Sequence, residues 1–375
     1  MTGAPLAIVV LHHRGTRDTI ACLESLARQT EAPAMRVIVV DNGAEAELAA
    51  LLQRWLAGDA CELPAPSADD PLAPRWWPTR GVPTARWQRL SEAALPAAPA
   101  TCAPWTYVRA AANRGFGAGM NVGLRVALAD PDVHATWLLN NDTVVDAHAV
   151  AAIRARVAMD ATVGQWGTEV RYHAAPHVRQ SDGRLAWSPW FARGSRMGDG
   201  EHVDARAATA REVRAADTTA RADRRLVWPE AVYGASWVLR HAAVREVGAL
   251  SEAALLYGEE LDWAARARGR WEGAVIPEAI VWHREGATAG GGQSGPKSAV
   301  ADLWGIAARL RLTRRFFVWA LPTVYFGLVG AAAWRLLVRR QPDRAKAIVR
   351  LLVQGDRALA TTRTAPVPTL RSHDA

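Results

Sequence analysis

The sequence predicts an α/β fold: a mostly parallel central sheet flanked by helices, followed by C-terminal helices that associate with a membrane. Three observations predict it. Short runs rich in β-branched and aromatic residues recur at 6–11, 37–40, 105–109 and 136–139, which suits strands buried on both faces. Segments between them, at 16–26, 44–56 and 117–129, place apolar residues at helical spacing. Near the C-terminus a charge-free stretch, FFVWALPTVYFGLVGAAAW at 316–334, lies between arginines and is long enough for one bilayer crossing.

The run 6–11 is the first strand. Thr16 or Asp18 opens a helix that puts Ile20, Leu23 and Leu26 on one face. The second strand, 37–40, ends at Asp41, Asn42 and Gly43, and a helix over 44–56 follows. A strand–helix–strand unit of this kind takes a right-handed crossover. From 57 to 104, prolines, small residues and scattered tryptophans (Trp76, Trp77, Trp87) predict an inserted loop with one short helix. Strand, helix and strand resume at 105–109, 117–129 and 136–139. Asp146 is expected to cap a helix running to Met159, and 163–172 returns as strand. The stretch 173–230 reads as irregular and arginine-rich, with WSPW at 187–190. A strand at 232–239, helices at 242–247 and 259–268, and short strands at 273–276 and 280–282 complete the pattern. The chain divides into one domain over 1–300, with 57–104 inserted, and a basic helical region over 301–375.

Half of the 375 residues are apolar, so a sizeable core forms and global disorder is excluded. The formal net charge of +8 attracts polyanions: nucleic acid, anionic lipid or diphosphates. Location decides among them. Arg309, Arg311, Arg314, Arg315, Arg335, Arg339, Arg340, Arg344, Lys346 and Arg350 bracket the apolar stretch, opposed only by Asp343. That arrangement favours a lipid surface over nucleic acid, with interfacial or re-entrant contact preferred to a clean span because Pro322, Gly327 and Gly330 interrupt it. Cys22, Cys61 and Cys102 form neither a metal spacing nor an even set, which points to a reducing compartment. The N-terminus has no basic n-region, and its apolar run is too short for a signal peptide.

Ligands of open α/β sheets bind beyond the carboxyl ends of parallel strands. Three polar clusters are expected there: Asp41-Asn42-Gly43, Asn113-Arg114-Gly115 and Asn140-Asn141-Asp142. Asp41 can accept from a nucleotide base or ribose, or merely shape an Asx-turn. Gly115, Gly117 and Gly119 open a helix, either to let backbone N–H groups approach a phosphate or to pack the helix tightly on the sheet. In WLLNNDTVVD, a buried strand ends in a carboxylate that can hold a hard divalent cation and leave room for diphosphate oxygens. Glu259, Glu260 and Asp262 start a helix, where acids suit the dipole; two adjacent glutamates nevertheless repel unless a proton or cation intervenes. His283 closes a later strand.

The series VVLHHRG, VIVVDNG, NRGFGAGMNVG, WLLNNDT, YGASWVLRHAAVREVGAL, LYGEELDWAARARG and VIPEAIVWHREG, read in order from 6 to 283, resembles family 2 glycosyltransferases, especially the bacterial rhamnosyltransferase-like branch. The resemblance implies a GT-A fold and inverting transfer from a nucleoside-diphosphate sugar, dTDP-rhamnose being the family-level donor, to a glycan or lipid-linked acceptor. It implies nucleotide-sugar contacts at Asp41, Asn113, Asn121, Asn140, Asn141 and Asp142. A divalent ion, Mg²⁺ or Mn²⁺, would sit on Asp142 with His283, although the metal motif keeps one acid where the family has two or three. Glu260 stands at the family's general base, where aspartate is usual. Trp187, Trp190 and Glu259 are assigned to the acceptor side within or beside 173–230. The expected place of work is the cytoplasmic face of the inner membrane, in polysaccharide synthesis. Three other readings are nucleic-acid binding through the basic tail, an inactive nucleotide-sugar or glycan-binding module, and a sugar nucleotidyltransferase. HHRGTRD after the first strand lacks the glycine-rich, lysine-bearing loop that the last requires.

Overall fold

β-branched and aliphatic residues alternate through LAIVVLH, and both sets are buried: Leu6, Ile8 and Val10 face one side of the sheet, Ala7, Val9 and Leu11 the other. This strand, β1 (Leu6–His12), lies inside the main sheet. The computed structural model describes residues 3–43, 46–56, 66–78, 87–97, 101, 103–203, 226–284 and 298–359. Helix α1 (Thr16–Ala27) leads to β2 (Met35–Asp41), which pairs with β1 in parallel. Helix α2 (Ala46–Leu56) and a single turn, α3 (Ala73–Trp76), precede β3 (Trp87–Ser91) and β4 (Trp105–Arg109). Helix α4 (Phe116–Ala129) feeds β5 (Ala135–Asn140), which returns to the other side of β1. The strand order thus reverses at β1, and the carboxyl ends of β1, β2 and β5 meet there.

The second half adds antiparallel pairing. β6 (Thr143–Val145), α5 (Ala149–Met159), β7 (Val163–Tyr172) and β8 (Arg179–Ser181) follow β5, then a small antiparallel sheet of β9 (Arg184–Ser188), β10 (Arg193–Arg196) and β11 (Glu230–Val232). β12 (Ser236–Arg240) runs antiparallel between β5 and β7, and after helices α6 (His241–Val247) and α7 (Glu259–Ala267), β13 (Glu272–His283) lies parallel to β7. The main sheet has 10 strands in the order β3-β4-β2-β1-β5-β12-β7-β13-β6, with β8 added on β7. It is mixed, its first five strands all parallel.

Several expectations are corrected. The 57–104 insertion supplies an edge strand, β3, and a buried anchor, Trp76. The 173–230 segment forms β8 to β11 rather than irregular chain, with 204–225 outside the described residues. The helix ending at Met159 begins at Ala149, because β6 takes up 143–145; Asp146 instead accepts from the His148 N–H at 3.0 Å. The strands at 273–276 and 280–282 are one strand, whose register shifts between Ile276 and Ile280, where Pro277 has no N–H to give. Cys22 is a buried free thiol; Cys61 and Cys102 lie outside the described residues.

Three helices follow: α8 (Ala299–Phe316), α9 (Leu321–Leu337) and α10 (Pro342–Gln354). They share a core of Trp304, Leu310, Val324, Leu328, Ile348 and Leu351. Asp302 on α8 takes Arg335 of α9 at 2.9 Å and Arg344 of α10 at 3.6 Å. Asp262 on α7 joins this unit to the sheet by accepting from Arg315 at 2.6 Å.

Candidate active site

At the carboxyl end of β2 the Asp41 carboxylate is fully buried and accepts from the Tyr107 hydroxyl at 2.5 Å. Burial, with that bond, pushes the Tyr107 phenol up to about 12. His12 pairs in register with Asp41; burial lowers its imidazole to about 4, against the pull of the Asp41 charge. Asn42 donates to Asn113 Oδ1 at 3.1 Å, so the first two strand-end clusters are in contact.

The glycines of NRGFGAGMN resolve in favour of packing. A Cβ on Gly117 would stand 2.4 Å from the Ser251 carbonyl, and one on Gly119 would stand 2.5 Å from Leu11 Cδ1. The first N–H of α4, on Phe116, donates to Leu255 O at 2.9 Å. The helix start is therefore closed against the 250–259 segment rather than open to a phosphate. Asn121 belongs to the same closure: it donates to Leu250 O and Glu252 Oε1, both at 2.9 Å, and accepts from Leu250 N. Its amide is committed to that loop, which argues against the expected donor contact.

The third cluster divides its labour. Asn141 donates to Arg14 O and Thr19 Oγ1, both at 2.8 Å, fixing the β1–α1 loop. Asn140 Nδ2 lies 3.4 Å from His283 Nε2. Asp142 Oδ1 is 3.1 Å from the same nitrogen. Burial favours the neutral Asp142 acid, but the charge and hydrogen bond of His283, with Arg284 beside it, outweigh burial and hold the carboxyl below its ordinary value. His283 Nδ1 faces Gln180 Oε1 at 2.8 Å, and Nε2 is turned toward Asp142.

Sequence reasoning missed the polar wall behind this pair. Arg284 Nε is 3.3 Å from Asp18, and its terminal nitrogen is 3.7 Å from Asp70 and 3.3 Å from His173. Asp70 comes from the segment read as loop, held by Trp76 below and by the Arg75 guanidinium 4.1 Å over Trp282. Only the residue types, Asp and Arg near motif ends, gave any signal for this wall.

Glu259 and Glu260 start α7 behind Gly258, which adopts φ 93. Glu260 packs on Gly234, where a Cβ would stand 1.8 Å from Oε1. The next residue, Ala235, accepts from Asn140 N at 3.1 Å, and the preceding one, Tyr233, places its ring 6.3 Å from that of His283. The strip 233–235 therefore touches Glu260 at Gly234, Asn140 at Ala235 and His283 at Tyr233. Burial and the neighbouring Glu260 charge raise Glu259 to about 8; burial raises Glu260 as well. Glu259 Oε1 is buried without a hydrogen-bond partner. One proton between the two relieves the repulsion expected from the sequence.

Trp187 is not free to stack on a sugar: it stacks on Phe317 with ring centroids 6.5 Å apart. Trp190 is 53% exposed and meets Trp319 edge-on at 4.6 Å. Both belong to the contact between the small sheet and the C-terminal helices.

Among the described residues no group of three His, Cys, Asp or Glu is placed to hold a metal ion. Asp142 and His283 do fit as two neighbouring ligands, since adjacent donors around a small divalent ion stand about 3 Å apart. The Gln180 bond supplies the outer support that a ligating histidine uses. Such a site leaves most positions for diphosphate oxygens and water.

No family model matches the chain, and no curated protein matches its sequence. Its backbone is similar to GalNAc-T7 in complex with UDP, GalNAc and Mn²⁺, at 12% identity and a TM-score of 0.53. That match covers 97% of this chain and 58% of the other, so the chain spans less than two thirds of that protein. It is also similar to the Pyrobaculum calidifontis mannosyltransferase PcManGT in complex with GDP-Man and Mn²⁺, at 14% identity, 96% and 84% coverage and a TM-score of 0.42. S. aureus TarS, residues 1–349, matches at 10% identity, 94% and 92% coverage and 0.39. The fold is GT-A-like, a mixed sheet with Asp41 and Asp142 at the strand ends of its parallel half.

Proposed function

We propose that the chain is an inverting glycosyltransferase that moves a sugar from a nucleoside-diphosphate donor to a hydroxyl of a glycan or lipid-linked acceptor. The observation that supports it most directly is the strip 233–235, which touches Glu260 at Gly234, Asn140 at Ala235 and His283 at Tyr233. Asp41, buried beside Tyr107 at the end of β2, receives the nucleoside, with the exposed Asn113 joined to it through Asn42. Asp142 and His283 would hold a divalent ion, which would offset charge on the departing diphosphate. Arg284, partly exposed above them, adds a fixed positive charge on the same side.

The reaction is one displacement. The acceptor oxygen bonds to the anomeric carbon as the bond from that carbon to the diphosphate oxygen breaks, and configuration inverts. Glu260 takes the acceptor's proton. Burial raises its affinity for protons, which suits it to take one from the acceptor, and buried Glu259 keeps the proton of the resting pair beside it. No acid is needed at the leaving group, unlike the paired carboxylates of glycoside hydrolysis.

The test is a panel of UDP-, GDP- and dTDP-sugars, dTDP-rhamnose included by resemblance, with Mg²⁺ or Mn²⁺, scoring released nucleoside diphosphate. Transfer by the native chain, lost in Glu260→Gln with nucleotide binding retained, is expected. Nucleotide binding with no release from any donor would select the inactive binding module instead.

A further inference from the structure

A surface helix normally turns apolar residues inward, and α9 turns them both ways. Val324, Leu328 and Ala332 are buried against α8 and α10. The opposite face carries Phe326 at 83% exposure, Leu337 at 75%, and Val329, with no charged residue among Pro322, Phe326, Val329, Gly330, Ala333 and Leu337. The segment Val318–Leu337 has a mean hydropathy of 1.3 and is 22% buried, so it is not a core helix. Trp190, Trp319 and Trp334, each about half exposed, edge the same face. Arg339, Arg340, Lys346 and Arg350 stand exposed beside it, on the end of α9 and on α10.

We propose that this face docks in the plane of an anionic bilayer, with α9 lying in the headgroup region and the arginines on acidic lipid. Apolar side chains, half-exposed tryptophans and basic flanks are the combination that an interfacial helix presents to lipid. A span is disfavoured by the tether of Arg335 to Asp302 at 2.9 Å and by the shared core with α8 and α10, which would have to break. A two-fold contact with a second copy would press like-charged arginines together. Thr323 donates to Trp190 O at 2.7 Å, so the face is continuous with the β9–β10 hairpin. Docking therefore brings that side of the molecule to the membrane, where a lipid-linked acceptor would be met; this last point rests on the proposed transferase reading.

The full chain should co-sediment with phosphatidylcholine–phosphatidylglycerol vesicles, weakly with phosphatidylcholine alone, and be released by alkaline carbonate. Phe326→Ser with Leu337→Ser should lose about tenfold or more of that binding. Arg339→Gln with Arg340→Gln should lose about fivefold per charge, and only on anionic vesicles. Unchanged melting and unchanged nucleoside diphosphate release with a soluble acceptor would confirm that the variants are intact. Full binding by the Phe326/Leu337 variant, retention after carbonate, or a soluble dimer that this variant disperses without any vesicle affinity would each overturn the proposal. Vesicle binding needs no turnover, so failure of the transferase reading would leave this result standing.

Discussion

The Glu260 carboxylate rests on the bare Cα of Gly234: a methyl group there would stand 1.8 Å from Oε1. Gly234→Ala should therefore push the carboxylate away from the strip while sparing the donor side. The expected outcome is a fall in kcat of about a hundredfold, the scale of a 1 Å misplacement, with the donor KM little changed. Equal kcat in the variant would separate Glu260 from the chemistry.

Glu260→Gln removes the proposed base and should lower transfer by about 10²- to 10⁴-fold. It should also lower the Glu259 value from about 8, because the Glu260 charge is one cause of that shift. In the native chain burial makes Glu260 lose its proton above the ordinary glutamate value of 4.5, so activity should rise with pH through the interval above 4.5. A flat pH–rate profile across that interval would contradict the assignment.

Gln180 holds His283 by its Nδ1 side at 2.8 Å. Gln180→Leu should leave the fold intact and weaken divalent-ion affinity about 10- to 100-fold, read by Mn²⁺ titration in the presence of nucleoside diphosphate. His283→Ala should weaken it further. Equal affinities in all three proteins would place the ion elsewhere.

Burial lowers both His12 and His241 from 6.5 to about 4. Between those values the unfolded chain binds protons that the folded chain refuses, so stability falls as pH drops, by up to about 1.4 kcal/mol per pH unit for each histidine. Glu259 acts in the opposite sense. Its raised value favours folding below 4.5, and that contribution is lost as pH rises toward about 8. These three groups together place their combined maximum near pH 6.5, which urea melts from pH 4 to 9 would locate. His241→Asn should flatten the acid limb.

Much of the parallel half was legible because buried strands such as LAIVVLH and MRVIVVD announce themselves by continuous apolar character. Asp41, Asp142, Glu260 and His283 were legible as acids or histidine at element ends. β3 was not: WQRLS at a sheet edge mixes polar and apolar residues without a buried run. β13 was split in two by Pro277, which a long strand tolerates by a shift in register. Gln180, Asp70 and Gly234 carried no local signal, since their roles exist only through partners distant in sequence. The glycines of α4 were visible, but whether they served a phosphate or close packing depended on Ser251 and Leu255, far along the chain.

Arg284 meets Asp18, Asp70 and His173, and its neighbour His283 meets Asp142 and Gln180. Every one of these pairings closes a long loop of chain, and each depends on β13 having slid between β7 and β6. A nascent polypeptide stopped before β13 therefore has the strands that carry Asp41 but not the proposed donor site. Binding competence should arise late and abruptly during synthesis, a slow, non-local step governed by loop-closure entropy.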